Sequence, residues 1–176
     1  ELRWVMQRRF AALLAGGRAA EALALAETGG GDAVAREEQV EALLAAGRAG
    51  EAVTRLARWR AQPDANVRQI LPLQVRALRE TRAFEAMDRA LEEWRALAPA
   101  DPAVFSFGVV QLALAGRAEA ANAAFDDFVL RFGGQAENLT PLVSALAAAQ
   151  HVRLLQRCVA VANERGHPPQ RAQVAL

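Results

Sequence analysis

The segment from Leu43 to Trp59, LLAAGRAGEAVTRLARW, recurs along the whole chain, and this recurrence limits the fold more than any other feature. It reads as the end of one helix, a tight turn at Gly47, and the start of a second helix carrying Glu51, Ala52 and Leu56. Related segments begin at Leu13 (LLAGGRAAEALALA), Leu78 (LRETRAFEAMDRAL), Leu112 (LALAGRAEAANAAF) and, most weakly, Leu146 (LAAAQHVRLLQRCV). Their turn positions fall at Gly17, Gly47, Thr81, Gly116 and Gln150, separated by 30, 34, 35 and 34 residues. A helix-turn-helix unit of this length buries its apolar face by stacking on its neighbours, so a period near 34 predicts a stacked helical array.

Elementary packing supports the unit. A helix that ends at Gly47 needs a residue able to enter the left-handed region without a side-chain penalty of about 1 kcal/mol. Ala52, Ala86 and Ala121 fall where two helices cross closely, and a larger side chain there would overpack the crossing by roughly 1–3 kcal/mol. The composition points the same way: 53% of residues are hydrophobic and only 6% aromatic, which describes a core of alanine, leucine and valine in helices.

These residues resemble the tetratricopeptide repeat family. Gly17 with Glu21 and Ala22, and Gly47 with Glu51 and Ala52, match the family's turn glycine and the acid-alanine pair that opens its second helix. Thr81, Glu85 and Ala86 keep two of the three, Gly116 with Ala120 and Ala121 keeps glycine and alanine, and Gln150 with Leu155 keeps neither. One apolar site of the first helices holds Leu13, Leu43, Ala77, Leu112 and Leu146. The resemblance implies an all-α solenoid of about five hairpins in a right-handed superhelix, forming one repeat domain over 1–176. The repeats would span 1–31, 32–64, 65–100, 101–134 and 135–168, with 169–176 a cap or the start of a further helix. Glu1 is neither an initiator methionine nor the start of a signal peptide, which leads to the expectation that the chain is part of a longer protein.

Several local features modulate this plan. Thr28-Gly29-Gly30-Gly31 breaks the second helix early and reads as a turn, since no strand precedes it and no Lys-Ser or Lys-Thr follows. Asp32 is the expected N-cap of the next helix, with Glu37 and Glu38 in its first turn. Pro72 and Pro141 fall inside first helices, at one repeat position, and predict an irregular or shortened helix at both, with Thr140 a candidate N-cap. The last helix is expected from about Val152 to Glu164.

Catalytic chemistry is not visible. His151 and His167 stand alone, no Cys, His and carboxylate cluster has metal spacing, and no nucleophile motif occurs, so neither a metal, a cofactor nor an enzyme activity is expected. Glu92-Glu93 and Asp126-Asp127 are adjacent on helices and diverge. Cys158 reads as a small apolar residue on a buried face, and Trp59 and Trp94, 35 residues apart at equivalent positions, read as structural. A net charge of +1, made from arginine without lysine, implies no nucleic-acid partner, and no apolar run is long enough for membrane insertion. The all-arginine, alanine-rich usage suits a GC-rich bacterium, cytoplasmic or periplasmic.

The resemblance implies binding of a protein or peptide partner in a groove lined by the first helices. Two rows would face it: Gln7, Glu37, Leu71, Ser106 and Thr140, and Ala11, Glu41, Val75, Val110 and Ser144. None is Lys or Asn, which rejects the family's clamp for a terminal carboxylate. The groove residues expected to bind are Glu37, Glu38, Glu41, Leu44, Arg68, Val75, Arg79, Phe107 and Val110; of the arginines in the most basic stretch, Arg55 to Arg82, only Arg68 and Arg79 are expected to reach it, the others reading as solvated surface. An extended or helical peptide with a basic end and an apolar body would suit this lining, and an exposed apolar groove signals binding or self-association. Two alternatives accompany the binding scaffold: the scaffold portion of a larger bacterial enzyme or secretion or polysaccharide-export machine, and the sensor domain of a transcription regulator.

Overall fold

The computed structural model describes residues 2–28 and 33–166. They form ten helices with no strand among them: α1 (Leu2–Ala15), α2 (Ala19–Thr28), α3 (Ala33–Ala45), α4 (Ala49–Arg60), α5 (Val67–Glu80), α6 (Phe84–Leu97), α7 (Pro102–Leu114), α8 (Ala118–Phe132), α9 (Ala136–Ala148) and α10 (Val152–Glu164). The chain divides into two compact units, Glu1–Met87 and Asp88–Leu176. The Gly29 to Asp32 turn and cap, His167 and the segment 169–176 lie outside the described residues.

In the first unit, Phe10 and Leu13 of α1 pack with Ala22 and Leu23 of α2, Val40 and Leu43 of α3, Ala52, Leu56 and Trp59 of α4, and Ile70 and Leu73 of α5. The second unit has its own core, in which Phe125 and Phe128 of α8 meet Val109 of α7, Leu142 and Leu146 of α9, and Leu154 and Cys158 of α10. Each core holds a large share of leucine, valine and alanine, and burying such side chains stabilises by about 1.5–3 kcal/mol apiece for the larger ones.

The turns correct the repeat alignment. Left-handed backbone occurs at Gly17 (φ 70°), Gly47 (φ 71°), Arg82 (φ 56°), Gly116 (φ 72°) and Gln150 (φ 53°). The third turn therefore pivots on Arg82 and not on Thr81. Its hydrogen bonds agree, since Arg82 N–H donates to the Arg79 carbonyl and Ala83 N–H to that of Leu78, as Gly47 and Arg48 donate to Leu44 and Leu43. Counting from Arg82, the residue opposite Ala22, Ala52 and Ala121 is Met87, which is fully buried, whereas Ala86 is only half-buried. The first-helix site filled by Leu13 and Leu43 belongs to Leu78 rather than Ala77.

Two further expectations change. α3 begins at Ala33, which puts Glu37 and Glu38 beyond its first turn. Pro72 and Pro141 sit within uninterrupted helices of 14 and 13 residues, so neither helix is shortened, and Thr140 donates to the Ala136 carbonyl instead of capping. Each proline is the sixth residue of its helix, and the carbonyl it leaves without a donor belongs to Arg68 or Glu137, both exposed residues, so the lost bond is not a buried one. In the corrected alignment the two prolines stand one position apart.

Two side chains cap helices at their starts. The Asp101 side chain accepts from Ala103 N–H at 2.9 Å, with Pro102 opening α7. The His151 Nδ1 accepts from Leu154 N–H at 3.4 Å and so starts α10.

Candidate functional site

Positions six and three residues before each turn lie one helical turn apart and share a face. In the first unit these positions supply Leu14 from α1, Glu41 and Leu44 from α3, and Arg76 and Arg79 from α5. They line one cleft of about 350 Å³, closed at its edge by Glu80. Leu14 and Leu44 form its apolar floor, packed against the core beneath. Across it Arg76 Nη1 lies 3.4 Å from Glu41 Oε1, and Arg79 Nη2 donates to Glu80 Oε1 at 2.9 Å. Farther along the same helices Gln69 Nε2 donates to Glu37 Oε2 at 2.8 Å.

Both partners of the Glu41–Arg76 pair are partly exposed, so the pair contributes about 0.2–1 kcal/mol and fixes a charge pattern more than it stabilises. An apolar floor under opposed charges can hold an apolar side chain while presenting both a donor fork and a carboxylate to the backbone or side chains around it.

Among the residues expected in the groove, Glu41, Leu44 and Arg79 meet in this cleft, and Glu37 and Glu38 are half-buried on the same helix. Arg68 is exposed and lies outside it. Val75 is buried at 0% exposure and is corrected to a core residue: seven before the turn, it takes the place of Phe10, Val40, Val109 and Val143, all buried. Val110 is also buried, at 1% exposure, within the second unit's core, and presents no surface. Phe107 is half-buried, its ring 5.8 Å from that of Trp94. Sequence reasoning misses Arg76 and Leu14. The spacing of four from Leu13 to Gly17 and from Leu43 to Gly47, applied from Leu78, leads to Arg82 and then to Arg76; the Glu85-Ala86 pair draws the alignment one residue away.

The remaining candidates are structural. Trp59 and Trp94 are buried. Asp126 turns to Arg157 (2.6 Å) and Asp127 to Arg131 (2.8 Å), so that pair diverges. Cys158 is buried, and burial pushes its thiol up to about 12. At the start of α2 and of α4 the same fork repeats: Arg18 Nε to Glu21 at 2.6 Å and Arg48 Nε to Glu51 at 2.7 Å, each arginine holding its glutamate's carboxyl below the usual range. Among the described residues no group of histidine, cysteine and carboxylates could hold a metal, and no helix is long and apolar enough to cross a membrane.

No family model matches the chain, and no curated protein matches its sequence. The solved structure titled "MamA MSR-1 C2", a tetratricopeptide-repeat-like protein, is similar with a TM-score of 0.58 at 15% identity, covering 94% of this chain and 98% of that one. At this identity the likeness shows the fold, an all-α helical-repeat solenoid of the tetratricopeptide type.

Proposed function

We propose that the chain is a non-catalytic protein-interaction scaffold, and that the α1, α3 and α5 face of its first unit holds a short segment of a partner protein. The observation that carries this reading is the cleft of about 350 Å³ in which Leu14 and Leu44 lie beneath the Glu41–Arg76 pair. Its size suits one or two side chains of a peptide, and the repeat fold supports the same use of first-helix faces. An apolar residue of the ligand enters over the two leucines. A basic neighbour competes with Arg76 for Glu41, while the freed Arg76 takes a carbonyl or carboxylate of the same segment.

Selection of peptides from a randomised library on the intact chain tests this reading. The selected peptides carry an apolar residue beside a basic one, and Glu41→Arg weakens their binding at least about tenfold, a loss of about 1.4 kcal/mol, while the chain stays folded and its unfolding shifts by no more than the small loss of the Glu41–Arg76 pair, about 1 kcal/mol. Peptides that bind the Glu41→Arg chain as tightly as the parent overturn it.

A further inference from the structure

A second cleft of about 340 Å³ lies on α3 and α4, lined by Arg36, Gln39, Arg55, Arg58, Trp59 and Gln62. Three guanidinium groups thus border one hollow. Arg55 is held in place, Nη1 donating to Gln39 Oε1 and Nη2 to Glu27 Oε1, both at 2.7 Å. Arg36 lies 3.7 Å from Asp64, whose side chain is largely exposed. The Arg58 guanidinium has no partner among the described residues. Among the described residues, two carboxylates at the rim thus leave one positive charge of the three unmatched.

The corresponding positions elsewhere in the chain show that the fold does not need this arrangement. Eleven and eight residues before the turn, and eight and eleven after it, the α3–α4 hairpin has Arg36, Gln39, Arg55 and Arg58. The α9–α10 hairpin has Leu139, Leu142, Cys158 and Val161 there, buried or half-buried. In the α7–α8 hairpin Phe105 replaces Arg36, and its ring packs 5.1 Å from that of Phe132. Where the α9–α10 hairpin closes this place with apolar side chains and the α7–α8 hairpin fills it with the Phe105 ring, the α3–α4 hairpin keeps it open and brings three arginines to its border.

We infer that this cleft binds the side-chain carboxylate of an acidic peptide segment, held by Arg58 and Arg36, with the methylenes of the bound residue against the edge of Trp59. Planar guanidinium forks match a carboxylate in two-point fashion, and Gln62, whose Nε2 donates to the Arg58 carbonyl at 3.5 Å, has a second N–H to offer. The single unmatched charge favours a carboxylate over a doubly charged phosphate, which Glu27 and Asp64 would repel. This site is separate from the α1, α3 and α5 face and does not depend on the reading given for it.

Titration of the intact chain by two-dimensional NMR tests the assignment, read at the Trp59 indole N–H and the Arg58 Nε–H. The probes are an acetylated and amidated Gly-Glu-Leu-Glu-Gly peptide, the same peptide with glutamine for glutamate, and inorganic phosphate. The expected result is a saturable shift of both signals with the glutamate peptide, binding at least about tenfold weaker for the glutamine peptide and for phosphate, and a similar loss in Arg58→Ala. Arg58 is exposed, so Arg58→Ala keeps the thermal unfolding of the parent. An absence of saturable shifts, equal binding of the glutamine peptide, tighter binding of phosphate, or full binding by Arg58→Ala overturns the assignment.

Discussion

Arg76 on α5 and Glu41 on α3 face one another at 3.4 Å across a cleft floored by Leu14 and Leu44. The two residues are 35 apart in sequence and occupy the same place in successive repeats, six before Gly47 and six before Arg82. Repeat geometry, with no sequence-local contact, brings an acid and a base together on the face proposed to bind a partner.

Backbone conformation at the turns gives opposite expectations for two substitutions. Gly47 has φ 71° and open space where a Cβ would point, so Gly47→Ala meets only the left-handed penalty and destabilises by about 1 kcal/mol. Arg82 already bears that penalty at φ 56°, and Arg82→Gly stabilises by roughly 0.5–1 kcal/mol after the extra freedom of the unfolded glycine is deducted. Chemical denaturation of the two variants measures both signs.

The corrected alignment makes a prediction that an alignment on Thr81 would reverse. Ala52 is fully buried at a helix crossing, and Ala52→Leu destabilises by roughly 1–3 kcal/mol. Ala86 is half-buried because Met87 holds the equivalent place, and Ala86→Leu costs less than about 1 kcal/mol. Thermal unfolding of both variants separates the two alignments.

Helix count, helix type and most boundaries are legible because alanine and leucine at helical spacing, with glycine at the turns, state them directly. The last helix, Val152–Glu164, falls where the apolar spacing puts it. The third turn is not legible in the same way, because left-handed backbone is carried there by arginine, a residue type that gives no turn signal, while Glu85-Ala86 imitates the acid-alanine pair one step early. One residue of slip in a helix rotates the face by about 100°, so the slip exchanges Arg76 for Val75 at the site. The prolines mislead for another reason: near these helix starts the lost hydrogen bond is not a buried one, and the helix runs on. The second cleft is hidden because Arg55 and Arg58 read as solvated surface, and Arg36, 19 and 22 residues before them, joins them only when the hairpin closes.

The N-cap of α7 is a local test of boundary chemistry. Asp101→Ala removes the acceptor for Ala103 N–H and lowers stability by about 1 kcal/mol, whereas Asp101→Ser, which can still accept, costs less. Differential scanning calorimetry distinguishes the three proteins.

Cys158 predicts a pH dependence at alkaline values. Burial raises its folded-state pKa from 9.0 to about 12, so its contribution to stability is intact below pH 9 and is lost as pH rises from there through 12. The unfolded thiol ionises first, which draws the equilibrium toward unfolding. Cys158→Ala flattens this part of the stability curve, and a thiol reagent at pH 8 modifies the native protein only at the rate of unfolding.

The most direct measurement of the central claim is an NMR map of the intact chain with a library-selected peptide bound. Binding in the α1, α3 and α5 cleft predicts the largest shifts at Leu14, Leu44, Glu41 and Arg76, with smaller ones at Arg79. Shifts confined to other faces, leaving these five residues unmoved, would contradict it.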